Sequence, residues 1–230
     1  MPVDVVRKDI KNLHVAVHPP TGRVRVATPL RLDDGAVRVA IISRLGWIRR
    51  QQARFIDQVR ESQRELLTGE SIYFRGRRFR LEVIEDSGRP GVRVSNNSRI
   101  QLRCTPGADR DQREARLNQW YRERLREQIP ALLRKWEQKL KVDVAEVRIR
   151  RMKTKWGSCN PEARRIWLNL ELSKKPVSSL EYVLVHEMTH FRERRHGEGF
   201  RKTMDVMMPG WHLQRDELNR APLAYERWRS

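Results

Sequence analysis

Cysteine is nearly absent, with Cys104 and Cys159 the two examples in 230 residues. A disulfide framework is therefore excluded as the basis of the fold, and a packed apolar core must do that work. Long apolar runs are absent as well. No stretch approaches the roughly 18 uncharged apolar residues that a membrane-spanning helix needs, so the expectation is no membrane partner. An apolar leader is missing too: Met1 to Ile10 carries Asp4, Arg7, Lys8 and Asp9 where a secretory signal would be uncharged, and a cytoplasmic location is expected. Repeats and long low-complexity segments are not found, which argues against solenoids and fibrous arrays. Acidic residues are outnumbered, 29 against 49 basic ones, giving a formal net charge of +20. That imbalance favours polyanions, although the arginines are scattered and helix faces such as Arg110 to Arg126 mix both signs.

What is present is His186-Glu187-Met188-Thr189-His190. On a helix, residues four apart stack on one face, so both imidazoles can grip one cation while Glu187 projects toward a bound water. The context is helical. Ser178-Ser179-Leu180-Glu181 reads as a capping box, with Val177 and Tyr182 placed to staple the helix start at about Ser179. Leu180, Val183, Leu184, Val185 and Met188 then make the segment apolar almost all round, as in a buried helix. A lone histidine there would read as core. Two at ligand spacing with a glutamate between them reverse that reading.

His196 follows ten residues after His186, beyond Phe191-Arg192-Glu193-Arg194-Arg195. Hydrolytic zinc sites take three protein ligands and keep a fourth position open, so a third histidine past the helix end completes the set: one Zn2+ per chain on His186, His190 and His196. Glu187 is the candidate catalytic base, acting on a water that zinc acidifies toward neutral pH. The His186, His190, His196 spacing equals that of the metzincins, but their turn glycine would fall at Glu193, so the chain must turn differently. Each imidazole also needs a partner for its second nitrogen, and Asp205 and Glu198 are the candidates. Tyr182, one turn before His186, is placed to assist the oxyanion, with ordinary aromatic packing as the bland reading. Lys153, Lys155 and Trp156 border the expected cleft, with a solvated strand face as the bland reading. Cys159 reads as a small buried thiol, because a fourth protein ligand would close the site.

Upstream, Arg148-Ile149-Arg150-Arg151-Met152-Lys153-Thr154-Lys155-Trp156-Gly157-Ser158-Cys159 precedes Arg165-Ile166-Trp167-Leu168-Asn169-Leu170. This order, with the histidine helix after it, resembles the YgjP-like metallopeptidases, a compact zincin family related to the SprT-like peptidases. The likeness is densest from about Arg148 to Trp211. It implies an α+β fold with a zincin-like catalytic core, helices packed on a small antiparallel sheet, behind an N-terminal β-rich region. It also implies zinc on the three histidines and Glu187 as base. Arg195 departs from the small polar residue more usual before the third histidine.

Without the family, Val147 to Cys159 and Arg165 to Leu172 read as strands joined by a turn at 160–164. An exposed edge there would suit an extended peptide. Residues 1–107 form the expected N-terminal region: a hairpin of His14–His18 and Arg23–Thr28, one helix from Ala36 to about Arg64, and strands at 71–74, 78–84, 92–95 and 100–104. Ile41, Ile42, Leu45, Trp47, Ile48 and Phe55 are the expected inward face of that helix. Residues 108–230 form the expected catalytic domain, opening with helix from Asp109 to Leu140 kinked or broken at Pro130. His14 and His18 read as surface residues, and Met204, Met207 and Met208 as core rather than a Met-turn.

Three functions follow. The first is a zinc metallohydrolase acting as a peptidase on protein or peptide substrate. The second directs the same site at a nucleoside triphosphate, held by the basic residues near it. The third is a basic nucleic-acid-binding module with a structural metal, against which Glu187 argues.

Overall fold

The computed structural model describes residues 2–18, 22–57, 64–152 and 154–220, with the side chains of 54–57 left aside. The chain divides into two compact units, Met1–Glu61 and Ser62–Ser230. Among the described residues no helix is long and apolar enough to cross a membrane.

In the first unit, β1 (Val3–Lys8), β2 (His14–His18) and β3 (Arg23–Pro29) form a sheet in the order β1-β3-β2. The hairpin of β2 and β3 is antiparallel, as the alternation predicts, and β1 adds in parallel on the far side of β3. The single helix expected from 36 to 64 is instead two, α1 (Asp34–Ile42) and α2 (Leu45–Asp57), with 58–63 outside the described residues. Two side chains mark the break: Ser43 and Arg44 both donate to the Ala40 carbonyl, at 3.0 and 2.9 Å, where the local side-chain bonds compete with a straight continuation. The new axis changes the inward face. Val37 and Ile48 are buried, Ile41 and Leu45 are half-buried, and Ile42 and Trp47 are exposed; the Phe55 side chain is outside the described set.

The second unit is α+β. Its first sheet, β4 (Ser71–Phe74), β5 (Arg77–Glu85), β6 (Gly91–Asn96) and β7 (Arg99–Cys104), runs in the order β4-β5-β7-β6 with β5 and β7 parallel. Helix α3 (Arg110–Leu140) starts at a capping box between Asp109 and Gln112 and continues unbroken through Pro130. It buries Leu117, Trp120, Tyr121, Leu125, Ile129, Trp136 and Leu140. The N-terminal half of this stripe covers the first sheet: Trp120 lies 4.6 Å from the Phe74 ring, and the Tyr121 hydroxyl donates to the Tyr73 carbonyl at 2.7 Å. One apolar core runs from Ile72 to Leu218, so the boundary expected at 107/108 falls inside this unit, where sheet and helix share their buried faces.

The second sheet holds β8 (Glu146–Arg150), β9 (Gly157–Asn160) and β10 (Arg165–Asn169) in the order β8-β10-β9. β9 and β10 form the expected antiparallel hairpin, but the strand expected over 147–159 is split, and β8 pairs parallel on the other side of β10. Fully buried Asn169 causes the split. Its amide donates to the carbonyls of Met152 and Lys155 at 2.9 and 2.8 Å and accepts from the Met152 amide at 3.3 Å, holding Met152 and Lys155 outside the strands. The sheet is therefore mixed, not purely antiparallel. Three helices follow: α4 (Val177–Thr189), α5 (Glu198–Met207) and α6 (Trp211–Arg220).

Glu181 anchors α4 to α3. Its carboxylate accepts from the Trp136 indole at 2.8 Å and pairs with Lys135 at 2.6 Å. Lys135 is half exposed, so the ion pair contributes little, whereas the nearly buried indole N–H loses its only acceptor if Glu181 is removed. Glu181→Ala is expected to cost about 1–3 kcal/mol and to lower the Tm of this unit by a few degrees. Calorimetry showing an unchanged Tm would count against this anchor.

Candidate metal centre

Helix α4 is buried because its sequence leaves no polar face: Leu180, Val183, Leu184, Val185 and Met188 are all nearly inaccessible. The expected capping box is not formed. The helix starts at Val177, Pro176 is the residue before it and offers no side-chain cap, and Ser179 Oγ is buried without a partner. Glu181 is engaged by Trp136 instead of reaching back, and Val177 is exposed, so no staple forms with Tyr182.

At its other end α4 stops without a left-handed residue. The amides of Arg192 and Glu193 both turn back to the Thr189 carbonyl at 3.1 and 3.0 Å, and none of residues 190–197 has a positive φ. The tight turn replaces the glycine break that position 193 cannot make. It swings His196 over the helix end, so that His196 Nε2 lies 3.0 Å from His186 Nε2 and 3.1 Å from His190 Nε2. Among the described residues this is the one group of three side chains suited to a metal. Nitrogens about 2.0–2.1 Å from a tetrahedral zinc stand about 3.3 Å apart, so the donor triangle has nearly the size such an ion requires.

The imidazoles are held as lone-pair donors. His190 Nδ1 lies 2.8 Å from the Glu193 carbonyl, which can only accept, so the ring's proton sits there and Nε2 is free. The Tyr182 hydroxyl lies 3.4 Å from His186 Nδ1. Burial, then the neighbouring His190 and His196, push the His186 pKa down to about 3, and burial lowers that of His196 as well. Phe200 of α5 packs its ring 4.8–4.9 Å from all three imidazole centres, an apolar wall on one side of the triangle.

Glu187 sits beside them, 7% exposed. Burial raises its pKa to about 7 against the opposing pull of the Cys159 thiol and the Lys155 charge. Cys159 is itself held as a thiol, its pKa pushed up to about 12 by burial and then by Glu187, and it lies outside the histidine group. β9 approaches this carboxylate very closely. A Cβ at Gly157 would meet Glu187 Oε1 and Val183 Cγ1 at 2.7 Å, so only glycine lets the strand pass.

The cleft beside these groups has a volume of about 540 Å³ and is lined by Lys155, Trp156, Gly157, Cys159, Tyr182 and Arg215, among others. Lys155 and Trp156 thus border it as expected, while Lys153 lies outside the described residues. Asp205 and Glu198 do not pair with any of the three clustered imidazoles, Asp205 lying instead 3.8 Å from His212 Nε2. Asp205 accepts from the Trp211 indole at 2.8 Å, and Glu198 pairs with Lys202 on the surface at 2.8 Å. The positions expected for them are taken by a backbone carbonyl and by Tyr182. Asp205 acts at one remove, since Trp211 stacks on the Tyr182 ring at 6.2 Å with 9° between planes. Met204 is fully buried and accepts from Thr189 Oγ1 at 3.4 Å, a core residue in keeping with its helical spacing. Sequence reasoning missed Gly157, Asn169, Phe200 and the Glu193 carbonyl as parts of the site. Of these, only Gly157 carried a signal, as the small residue of Trp-Gly-Ser-Cys.

Comparison with known proteins gives a family match over residues 11–221, described as YgjP-like, metallopeptidase domain. No curated protein matches the chain. Among solved structures, the metallopeptidase zymogen abylysin of Pyrococcus abyssi aligns with a TM-score of 0.37 at 21% identity, over 39% of this chain and 90% of its own. Jannalysin of Methanocaldococcus jannaschii, also a metallopeptidase zymogen, aligns with a TM-score of 0.35 at 21% identity, over 40% of this chain and 85% of its own.

The packing at Gly157 yields a direct test. Gly157→Ala is expected to push the Glu187 carboxylate aside, lowering hydrolytic turnover at least tenfold while the chain still binds one zinc. Wild-type turnover in the alanine variant would show that the close approach of β9 has no functional weight.

Proposed function

The chain belongs to the YgjP-like metallopeptidase family, and on that premise we propose that it is a zinc-dependent peptidase with one ion on His186, His190 and His196 and with Glu187 as general base. The observation that carries this reading is the convergence of three imidazoles beside a buried carboxylate, His196 Nε2 lying 3.0 Å from His186 Nε2 and 3.1 Å from His190 Nε2. Zinc bound there would polarise the scissile carbonyl and bring the pKa of a water toward neutrality. Glu187 takes the proton from that water at its carboxylate oxygen. Because burial already raises its proton affinity, the transfer needs little driving force, and the same proton is then handed to the leaving amine.

Substrate alignment falls to β9. It is an edge strand, paired to β10 on one side, and its residues 157–159 line the cleft. An extended peptide adds to such an edge through main-chain hydrogen bonds, which suits a peptidase and has no counterpart in a nucleotide. Trp156 and Lys155 flank that edge and contact neighbouring side chains of the peptide. Tyr182 steadies the His186 ring through Nδ1, with its hydroxyl kept protonated by burial, which pushes its pKa up to about 12. Of the cleft's cations, Arg194 is paired with Glu162 at 2.8 Å and Arg215 with Asp216 at 2.9 Å, so the pocket is less basic than its lining suggests.

Glu187→Gln is expected to keep one zinc per chain, measured by elemental analysis, while peptide turnover drops about 10²–10⁴-fold. Wild-type turnover in that variant removes the general-base role. Incubating zinc-loaded protein with denatured casein, and separately with the four nucleoside triphosphates, tests the substrate class. Phosphate release without peptide cleavage would overturn the peptidase reading.

A further inference from the structure

The outer face of the β4-β5-β7-β6 sheet is a basic platform remote in sequence from the histidine site. Strand alternation turns Phe79 and Leu81 of β5, and Ile100 and Leu102 of β7, inward against α3, where all four are buried. The intervening residues face out. They are Arg78 and Arg80 on β5, Arg99 and Arg103 on β7, and Arg93 on β6, where cross-strand register sets Arg93 opposite Gln101 and Arg80 opposite Arg99. Against these five arginines stand Glu82, bonded to Gln101 at 3.0 Å, and Asp86 at the end of the face, 3.4 Å from Arg103.

Two features separate this face from an ordinary solvated one. Arg80 and Arg99 are direct cross-strand neighbours of like charge, an unfavourable pairing, and among the described residues Arg80 meets only a neutral acceptor, donating to the Gly69 carbonyl at 2.6 Å. Arg78 and Arg99 are exposed, and neither makes an ion pair among the described residues. The second sheet of the same unit shows the contrasting pattern. There Glu146 sits between Arg148 and Arg165, at 2.5 and 2.6 Å, and neutralises them. The first sheet also offers an aromatic. Tyr73 of β4 is 37% exposed, lies opposite Arg78, is held at its backbone by the Tyr121 hydroxyl, and has the Arg64 guanidinium 5.9 Å from its ring centre, a further cation beside a stacked base. At the β6 side the face dips into a cavity of about 290 Å³ lined by Arg89, Arg93 and Arg103 with Ile84 and Pro90.

The geometry points to a binding surface for single-stranded nucleic acid: phosphates on Arg78, Arg80 and Arg99, and a base stacked on Tyr73. The exposed face offers a single strand guanidinium groups spaced by a pleat or a strand separation, about 5–7 Å, next to a ring on which any base can stack. The surface is independent of the histidine site and would stand whatever that site hydrolyses.

The test is fluorescence anisotropy of the full chain with a labelled 20-nucleotide oligo-dT across a salt series. Arg78→Ala with Arg99→Ala is expected to weaken binding at least tenfold. The slope of log K against log salt should become less negative by about 1.4, from two phosphate contacts at about 0.7 each. Tyr73→Ala is expected to weaken binding about tenfold and Tyr73→Phe to leave it intact. The control is Arg116→Ala with Arg126→Ala on α3, which removes the same charge from exposed positions of the helix. An equal loss in the control pair would overturn the proposal, since net charge alone would then account for binding. Tighter binding of a duplex of the same length, or equally tight binding of polyglutamate, would overturn it too. Metal-dependent turnover should be unchanged in the Arg78 and Arg99 variants, which also reports that they fold.

Discussion

The site depends on a helix that has no solvated side. Because α4 is apolar nearly all round, it can exist only inside the unit, and that burial does two things at once. It strips His186 of water so that the imidazole stays neutral, and it strips Glu187 so that the carboxylate holds a proton far more readily than on a surface. Opposite demands, a base that resists protonation and an acid that accepts it, are met by one environment acting on two chemistries. The surrounding elements then have a single task, which is to hold α4 in register. Glu181 fixes it to α3, Phe200 closes one side of the histidine triangle, and β9 passes over Glu187 at the one residue without a side chain.

Most strands and the spacing of the three histidines were legible in the sequence, because alternation and four-residue spacing are local signals, whereas β1 was not foreseen and β8 and β9 were read as one strand. The parts that were not legible share a cause: a partner distant in the chain or a backbone atom. Ser178 to Glu181 matches a capping box residue for residue, yet Glu181 lies near Trp136, and an indole N–H in a core has no other acceptor to turn to. Asp205 was placed at an imidazole on charge alone, but its helix aims it at Trp211. The group that does orient His190 is the carbonyl of Glu193, which every residue possesses and no motif can flag. Likewise, the strand expected from Val147 to Cys159 had suitable residues throughout. Asn169, fully buried on the neighbouring strand, makes four side-chain hydrogen bonds and draws Met152 and Lys155 out of the ladder for three of them.

Charge is distributed with a pattern that net values hide. The cleft arginines are answered by Glu162 and Asp216, and Arg148 and Arg165 of the second sheet by Glu146. The first sheet leaves its arginines largely unanswered, and its aromatic side chain is on the same face. Two surfaces of one unit thus differ in charge, one a neutralised groove beside the histidines and the other a positively charged plane.

Two of the three imidazoles ride on a rigid, immersed helix, and the third is carried by a short exposed turn held by two amides on the Thr189 carbonyl. On the proposed reading, grip on a cation would therefore be set outside the core, and substitutions at 191–195 would tighten or loosen it by stiffening or slackening that arm, leaving the buried scaffold untouched.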